Sequence, residues 1–311
     1  MGRYRLGDIV RMTRKSLSIT QEQLCDEICS VETLSRIENG SQNPSRDTYE
    51  LLMGRMGRFR ERAYSMLSVS DFKVLEKMKQ FEDYIKLYEF QKAETVLAEI
   101  TKTIGNSVLD QQFLIRAESL VNYYLKRTGA DEFLQGLKNA IHLTIPNYGS
   151  ISLSSWPLSF YEAMILINMS TAYAEKEDYH KSIEVIHDAY SAMKQSYMDE
   201  QQRAILQVTI ATNLSKWYGL IGEHEKAIEI ANEGINICKR SKLGNALPHL
   251  LYGVVWNKEI LIDTGALPFS NKSECLKYLY EAYHIACVMN IQYMVAFIKE
   301  HIEQKYNVIV K

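Results

Sequence analysis

Apolar residues recur at three- and four-residue intervals over most of the chain, with polar residues filling the positions between them. Ile183, Ile186, Ala189, Tyr190 and Met193 are one such stripe. Leu6, Ile9, Val10 and, further along, Leu17 make another near the N-terminus, which suits a first helix. Strand-like alternation of single apolar and polar residues is hard to find. Only five prolines and 15 glycines interrupt the 311 residues. The pattern predicts an all-α protein.

Helix boundaries are written into the first part of the chain. Thr20 followed three residues later by Gln23 is a capping box, so a short second helix is expected from Gln21. Ser30 can accept from the free amides of the next helix, and Gly40 tolerates the left-handed turn that ends it. Ser45, after Pro44, caps a fourth helix carrying Tyr49, Leu51, Leu52 and Met56. The predicted order is helix, helix, tight turn, helix, then two more helices. This order, and the run ICSVETLSRIENG from Ile28 to Gly40, resemble the Xre/Cro-type helix-turn-helix family over residues 3–68.

The resemblance implies that the third helix enters the DNA major groove with its N-terminal residues toward base edges. Glu32, Thr33 and Arg36 are then the candidates for base contacts, with Glu32 accepting from a cytosine amino group and Arg36 donating to guanine or phosphate. Gln21, Asn43 and Arg46 are expected to hold phosphates, which fix register without reading sequence. Leu24, Ile28, Leu34 and Ile37 are expected in the core. In this family a glutamate at the place of Glu38 pairs with an arginine on the first helix, and Arg14 occupies that place. The resemblance therefore implies a structural ion pair between Arg14 and Glu38.

Charge adds a constraint. The first 70 residues hold 11 Lys+Arg against 9 Asp+Glu, while the remainder holds 25 against 29. A head so weakly basic makes few phosphate contacts, and one copy should bind DNA poorly, so two copies are expected. The five scattered cysteines, Cys25, Cys29, Cys238, Cys275 and Cys287, suggest neither a disulfide framework nor a metal pair. No signal-peptide core or membrane-length apolar run occurs, and a cytoplasmic protein is expected.

Residues 72–290 carry a recurring pattern in which a small residue follows a fixed position on the preceding helix by 14. The pairs are Lys79 with Ala93, Asn122 with Gly136, Asn168 with Ser182, and Asn213 with Ala227. A fifth, Asn257 with Cys275, needs four extra residues, assigned to the loop ALPFSN. Tyr84, Tyr173 and Tyr218 each lie five residues after a leading residue, and Ala189, Gly234 and Ala282 each lie seven after a small one. The pattern resembles a degenerate tetratricopeptide array, although successive leading residues are 43 to 46 apart against ~34 in the standard repeat. It implies a right-handed α-solenoid with a concave inner face. A capping helix is expected near Tyr293 to Tyr306.

Asn122, Asn168, Asn213 and Asn257 share one column in that alignment. A carboxamide offers both donors and an acceptor, matching the backbone of an extended peptide. A ladder of them would grip a peptide whatever its side chains; the same asparagines can equally tie adjacent helices together. Met164, Ile167, Thr171, Thr209, Thr212, Lys216 and Trp256 would supply selectivity, and Lys79 would meet a peptide carboxylate.

A head of this type joined to such an array resembles the RRNPP family of Gram-positive quorum sensors. The resemblance implies a homodimer, a double-stranded DNA operator and a short signalling peptide as partners, with a DNA-binding domain at 1–68 and a peptide-binding and dimerisation domain at 69–311. It also implies a hinge near Ser68 to Asp71. A regulator whose repeats bind a protein partner, and a helical scaffold whose head has lost DNA binding, are the alternatives. The seven histidines show no HExxH spacing, and no glycine-rich phosphate loop or nucleophile elbow occurs, so neither an enzyme nor a cofactor or metal site is expected.

Overall fold

The computed structural model describes residues 6–16, 19–56, 69–105, 108–150, 153, 158–193 and 200–310. Among them there is no strand. The fold is all-α, a helix-turn-helix domain followed by a tetratricopeptide-like solenoid. The chain divides into two compact units, residues 1–83 with 92–105, and residues 84–91 with 106–311. The expected domain boundary at 68, the start of the expected hinge, the fifth helix of the head and Leu17 lie outside the described residues.

In the first unit α1 (Leu6–Ser16), α2 (Gln21–Cys25), α3 (Val31–Glu38) and α4 (Arg46–Arg55) surround one core. Leu6, Val10, Leu24, Leu34, Ile37, Tyr49, Leu52, Met53 and Met56 are buried there, with Ile9 and Ile28 packed at its edge. Leu51 is 55% exposed, and Met53 takes the core place. The reason is helical phase: 49, 52, 53 and 56 share one face, and 51 does not. The capping box at Thr20 is formed, Ser30 Oγ accepts from Thr33 N at 3.1 Å, and Ser45 Oγ accepts from Thr48 N at 3.1 Å. Gly40 has φ +78°, as its place at the end of α3 requires. At Gly7 a Cβ would lie 1.7 Å from the Ile37 carbonyl oxygen, so only glycine lets α1 approach α3 so closely.

Paired helices follow: α5 (Val69–Lys86) with α6 (Phe90–Thr103), α7 (Val108–Tyr124) with α8 (Ala130–His142), α9 (Phe160–Glu175) with α10 (Tyr179–Met193), α11 (Glu200–Leu220) with α12 (His224–Ser241), and α13 (Leu247–Asp263) with α14 (Lys272–Val288). The capping helix is α15 (Gln292–Tyr306). Each first helix ends at a left-handed residue: Tyr88, Lys126, Glu177, Gly222 and Gly265. In four of the five turns the next amide donates to the carbonyl five residues back, of Tyr84, Asn122, Tyr173 and Tyr218, at 2.8 to 3.0 Å. This is the Schellman closure, which satisfies carbonyls a helix end would otherwise strand. The fifth turn is longer by the expected loop, where Phe269–Asn271 forms a 3-10 turn.

The left-handed residue is a register mark, and it corrects the alignment. Lys79, Asn168 and Asn213 each stand nine residues before it. Asn122 stands only four before Lys126, the place of Tyr84, Tyr173 and Tyr218 in other pairs. Asn257 stands eight before Gly265; the residue nine before is Trp256. The column therefore holds two asparagines, not four. The constant spacing of 14 misled because both members of the second pair are displaced: Gly136 is the seventh residue of α8, whereas Ala93, Ser182 and Ala227 are each the fourth of theirs. The small residues keep their role: a Cβ on Gly136 would meet Ser119 Oγ at 2.1 Å, and Ser182 donates to the Ser170 carbonyl at 2.6 Å.

Within the second unit successive helices pack on one another from α7 to α15, and α9, α11, α13 and α15 also lie side by side as one layer. One hydrophobic core runs from α7 to α12, a second from α11 to α15, and α11 contributes to both. Gly234 on α12 marks a close approach, where a Cβ would come within 2.9 Å of both Ala211 on α11 and Leu250 on α13.

Candidate functional site

The first candidate surface is the exposed side of α3. Val31, Glu32 and Arg36 are exposed and Thr33 is half-buried. The Thr33 hydroxyl lies 2.9 Å from the Ser30 hydroxyl, so the cap and a candidate base-reading residue share one hydrogen bond. Asn43 is exposed in the loop after α3, and the Arg46 side chain lies outside the described residues. The Asn39 carboxamide oxygen accepts from the Ser41 amide at 3.1 Å and fastens that loop to the end of α3.

Behind α3 lies a buried polar centre. Arg14 meets Glu38 through two bonds, Nε to Oε1 at 2.6 Å and Nη2 to Oε2 at 2.7 Å, and donates to the Ile19 carbonyl at 2.9 Å. Burial works against the Glu38 charge, but hydrogen bonds from Arg14 and Gln21 overcome it and hold the carboxyl below its usual range. Gln21 gives its carboxamide to Glu38 at 2.8 Å, a bond the sequence reading did not assign to it. Its side chain locks α2 to the end of α3. Arg11, Arg14, Lys15, Thr20, Gln21 and Asn39 line a cleft beside this centre. Arg11 and Lys15 are exposed cations there, one turn apart on α1, and the pattern of α3 alone gave no reason to single them out.

The second candidate surface is the layer of first helices. Asn168 and Asn213 are half-buried in equal register on α9 and α11. Asn213 has no side-chain partner among the described residues, whereas Asn168 accepts from Arg116 Nε at 2.8 Å. Two expected contacts are corrected by burial. Asn257 is fully buried, with its oxygen 2.9 Å from His224 Nδ1 and its nitrogen donating to the Gly253 carbonyl, so it ties helices together and is closed to a ligand. Ile167 is 1% exposed and belongs to the core.

Met164 and Trp256 are half-buried and Lys216 is exposed. The hydroxyls of Thr171, Thr209 and Thr212 donate to carbonyls of their own helices, those of Ile167, Ile205 and Val208. These threonines keep their donors within the helix, a pairing that helical spacing permits and sequence alone does not reveal. Lys79 is exposed in the first unit. Sequence reasoning missed Arg116, which is 1% exposed. Ten residues before the register mark, the other pairs carry Met78, Ile167, Thr212 and Val255; a lone arginine in this place gives no periodic signal. No described helix is long and apolar enough to cross a membrane.

Residues 10–57 match the helix-turn-helix family HTH_3. No curated protein matches the chain in sequence. Several solved structures match nearly its whole length. PlcR of Bacillus thuringiensis in complex with the peptide PapR7 and DNA is 18% identical, with a TM-score of 0.64, over 95% of this chain and 99% of PlcR. The apo form of the same protein is 19% identical, with a TM-score of 0.55, over 94% and 97%. ComR from S. thermophilus, in complex with DNA and its signalling peptide ComS, is 13% identical, with a TM-score of 0.51, over 95% and 98%. At these identities the likeness is one of fold: this chain, like PlcR and ComR, is a helix-turn-helix domain followed by paired-helix repeats.

Proposed function

We propose that the protein is a transcription regulator that binds operator DNA as a homodimer and responds to a short peptide held on its layer of first helices. The observation that carries this reading is the pairing of two open surfaces in one chain. An α3 face is capped, braced from behind and free of intramolecular cover at Glu32 and Arg36. A helix layer presents half-buried asparagines in register. The fold shared with PlcR and ComR, whose structures hold DNA and peptide, supports the combination.

On this reading Glu32, Thr33 and Arg36 contact base edges, and Gln21, Asn43 and Arg46, joined by Arg11 and Lys15, meet the backbone. Each head binds weakly, so affinity depends on two heads spaced to meet successive major-groove faces, ~34 Å apart or a multiple. The peptide acts by preferring one arrangement of the array. It shifts the population only by its difference in affinity between the two arrangements.

Purified full-length protein titrated with labelled DNA from its own promoter, with and without short synthetic peptides, tests this. A peptide that changes DNA affinity supports the reading. A response only to a folded protein partner favours the protein-partner alternative, and no DNA binding at any protein concentration favours the scaffold and ends the reading. Arg36→Ala is expected to weaken operator binding and relax base preference at one position, by about 1–3 kcal/mol.

A further inference from the structure

We infer that the turn between α5 and α6 is a clasp, in which Tyr88 holds α7 to α15, and that it closes when a ligand lies on the layer of first helices. The inference rests on the peptide-receptor reading above.

A repeat array is quasi-one-dimensional, and each helix pair touches only its neighbours. This turn departs from that rule. Residues 84–91 belong to the second unit, although most of α5 and α6 lies in the first. Leu87 packs on the core of α11 to α15, and the Tyr88 ring lies 4.1 Å from that of Tyr293 at the start of α15. The Tyr293 hydroxyl in turn meets His249 Nε2 near the start of α13. On the other side Phe90 stacks flat on Tyr124 at the end of α7, with 4.4 Å between centroids, and the Tyr88 ring is 6.4 Å from that of Tyr124. One turn thus joins the second helix pair to the fifth and to the capping helix.

The residue at the centre of the turn is not the one its geometry asks for. Tyr88 takes φ +60°, a left-handed conformation that a bulky side chain adopts only at a cost. At the same place the other turns carry Lys126 and Glu177, both exposed, and two glycines, Gly222 and Gly265. The turn can therefore be made without an aromatic ring, and the contact with Tyr293 is what uses one. Tyr88 is nevertheless 48% exposed and belongs to neither hydrophobic core of the unit, so this contact can open while both cores stay packed.

Curvature decides whether it is open. A ligand bridging α9, α11 and α13 gains contacts as those helices converge. Arg116 ties α7 to α9, and α15 packs on α13, so convergence also brings α7 and α15 toward one another. Tyr88 spans that interval. Ligand and clasp therefore favour the same arrangement, and by linkage each favours the other to the same extent.

Full-length protein is incubated with a soluble library of random heptapeptides, and a retained peptide is identified by mass spectrometry and resynthesised. Hydrogen exchange is followed at the Glu89 amide, which donates to the Tyr84 carbonyl, and at the Val295 amide, which donates to that of Ile291. On the wild type the peptide is expected to slow both by at least about threefold. Tyr88→Gly and Tyr88→Lys place here residues that the other turns already carry, and melting curves are run for both; should either fail to fold, exchange on the wild type decides. Both variants are expected to bind the peptide about two- to tenfold more weakly, the worth of one aromatic pair. In both, the peptide should leave the Val295 amide unchanged. Unaltered or faster exchange on the wild type, equal affinity in wild type and variants, or slowing at Val295 that persists in the variants overturns the inference while leaving the receptor reading intact. Retention of no peptide at all overturns the receptor reading and the inference with it.

Discussion

The most deeply buried glutamate of each unit, Glu38 in the first and Glu259 in the second, is compensated differently. In the head Glu38 is 4% exposed and its charge is met by one cation, Arg14, with Gln21 assisting. At the end of the array Glu259 is 1% exposed and collects His301 at 3.0 Å, Tyr306 at 2.6 Å and Lys305 at 3.2 Å. Burial again opposes the Glu259 charge, and hydrogen bonds from His301 and Tyr306 outweigh it, keeping the carboxyl below its usual range. The head relies on one pair that joins α1 to the end of α3, the element proposed to read DNA. The array spreads the same task over several side chains on its capping helix. A buried charge with a single cation is brittle; a shared one is tolerant.

Removing the brittle partner gives the largest expected effect. Arg14→Ala leaves Glu38 buried without a cation, and should destabilise the head by ~3–5 kcal/mol. Hydrogen exchange of α3 amides measures this. All three tryptophans come after residue 105 in the sequence, and Trp217 and Trp256, the two described ones, lie in the second unit, so the tryptophan fluorescence should melt unchanged. A matching loss in the tryptophan signal would break the contrast.

Acid should separate the units next. Burial pushes His249 down to about 4, and all seven histidines lie in the second unit. The unfolded chain takes up this proton near 6.5 and the folded one only near 4. Stability from neutral His249 is therefore complete above pH 6.5 and falls as pH drops toward 4, by about 3 kcal/mol at most. The contribution of Glu38, by contrast, is complete above the ordinary carboxylate range and is lost only as pH falls through its depressed value. Urea unfolding followed by tryptophan fluorescence across this range should show the array weakening first. His249→Gln should flatten that limb.

Two smaller effects sharpen the picture of the array. Gly234→Ala inserts a methyl between α11, α12 and α13 and should cost ~1–3 kcal/mol by overpacking, read as a lower urea midpoint. Tyr306→Phe removes one of several donors to Glu259 and should cost only about 1 kcal/mol, because His301 and Lys305 remain. A loss as large as that of Arg14→Ala would mean that the array is no more tolerant than the head.

The head was nearly transparent in the sequence because its signals are local. Thr20 with Gln23, Ser30, Ser45 and Gly40 each act within a few residues, and each cap is where its spacing requires. Leu51 and Leu52 are adjacent apolar residues, and only the phase of α4 separates the exposed one from the buried one. The repeats were legible as pairs, down to the inserted loop before α14 and the capping helix. Their internal register was not, since a spacing of 14 between Asn122 and Gly136 mimics the true repeat although both residues are displaced.

The candidate peptide surface was the least legible part. Asn168 and Asn257 are the same residue type one place apart in register; one is half-open against Arg116, the other sealed by His224 and Gly253. Nothing within a few residues of either distinguishes them.

Helix content, caps, the helix-turn-helix order and the number of helix pairs follow from the sequence itself, because they depend on contacts between residues close along the chain. Which asparagines face outward, that Gln21 braces Glu38, and that a buried arginine stands behind Asn168 were decided only in the tertiary structure. Those contacts join residues 17 to 52 apart, and their outcome depends on the depth to which each helix is packed, a quantity no local pattern encodes.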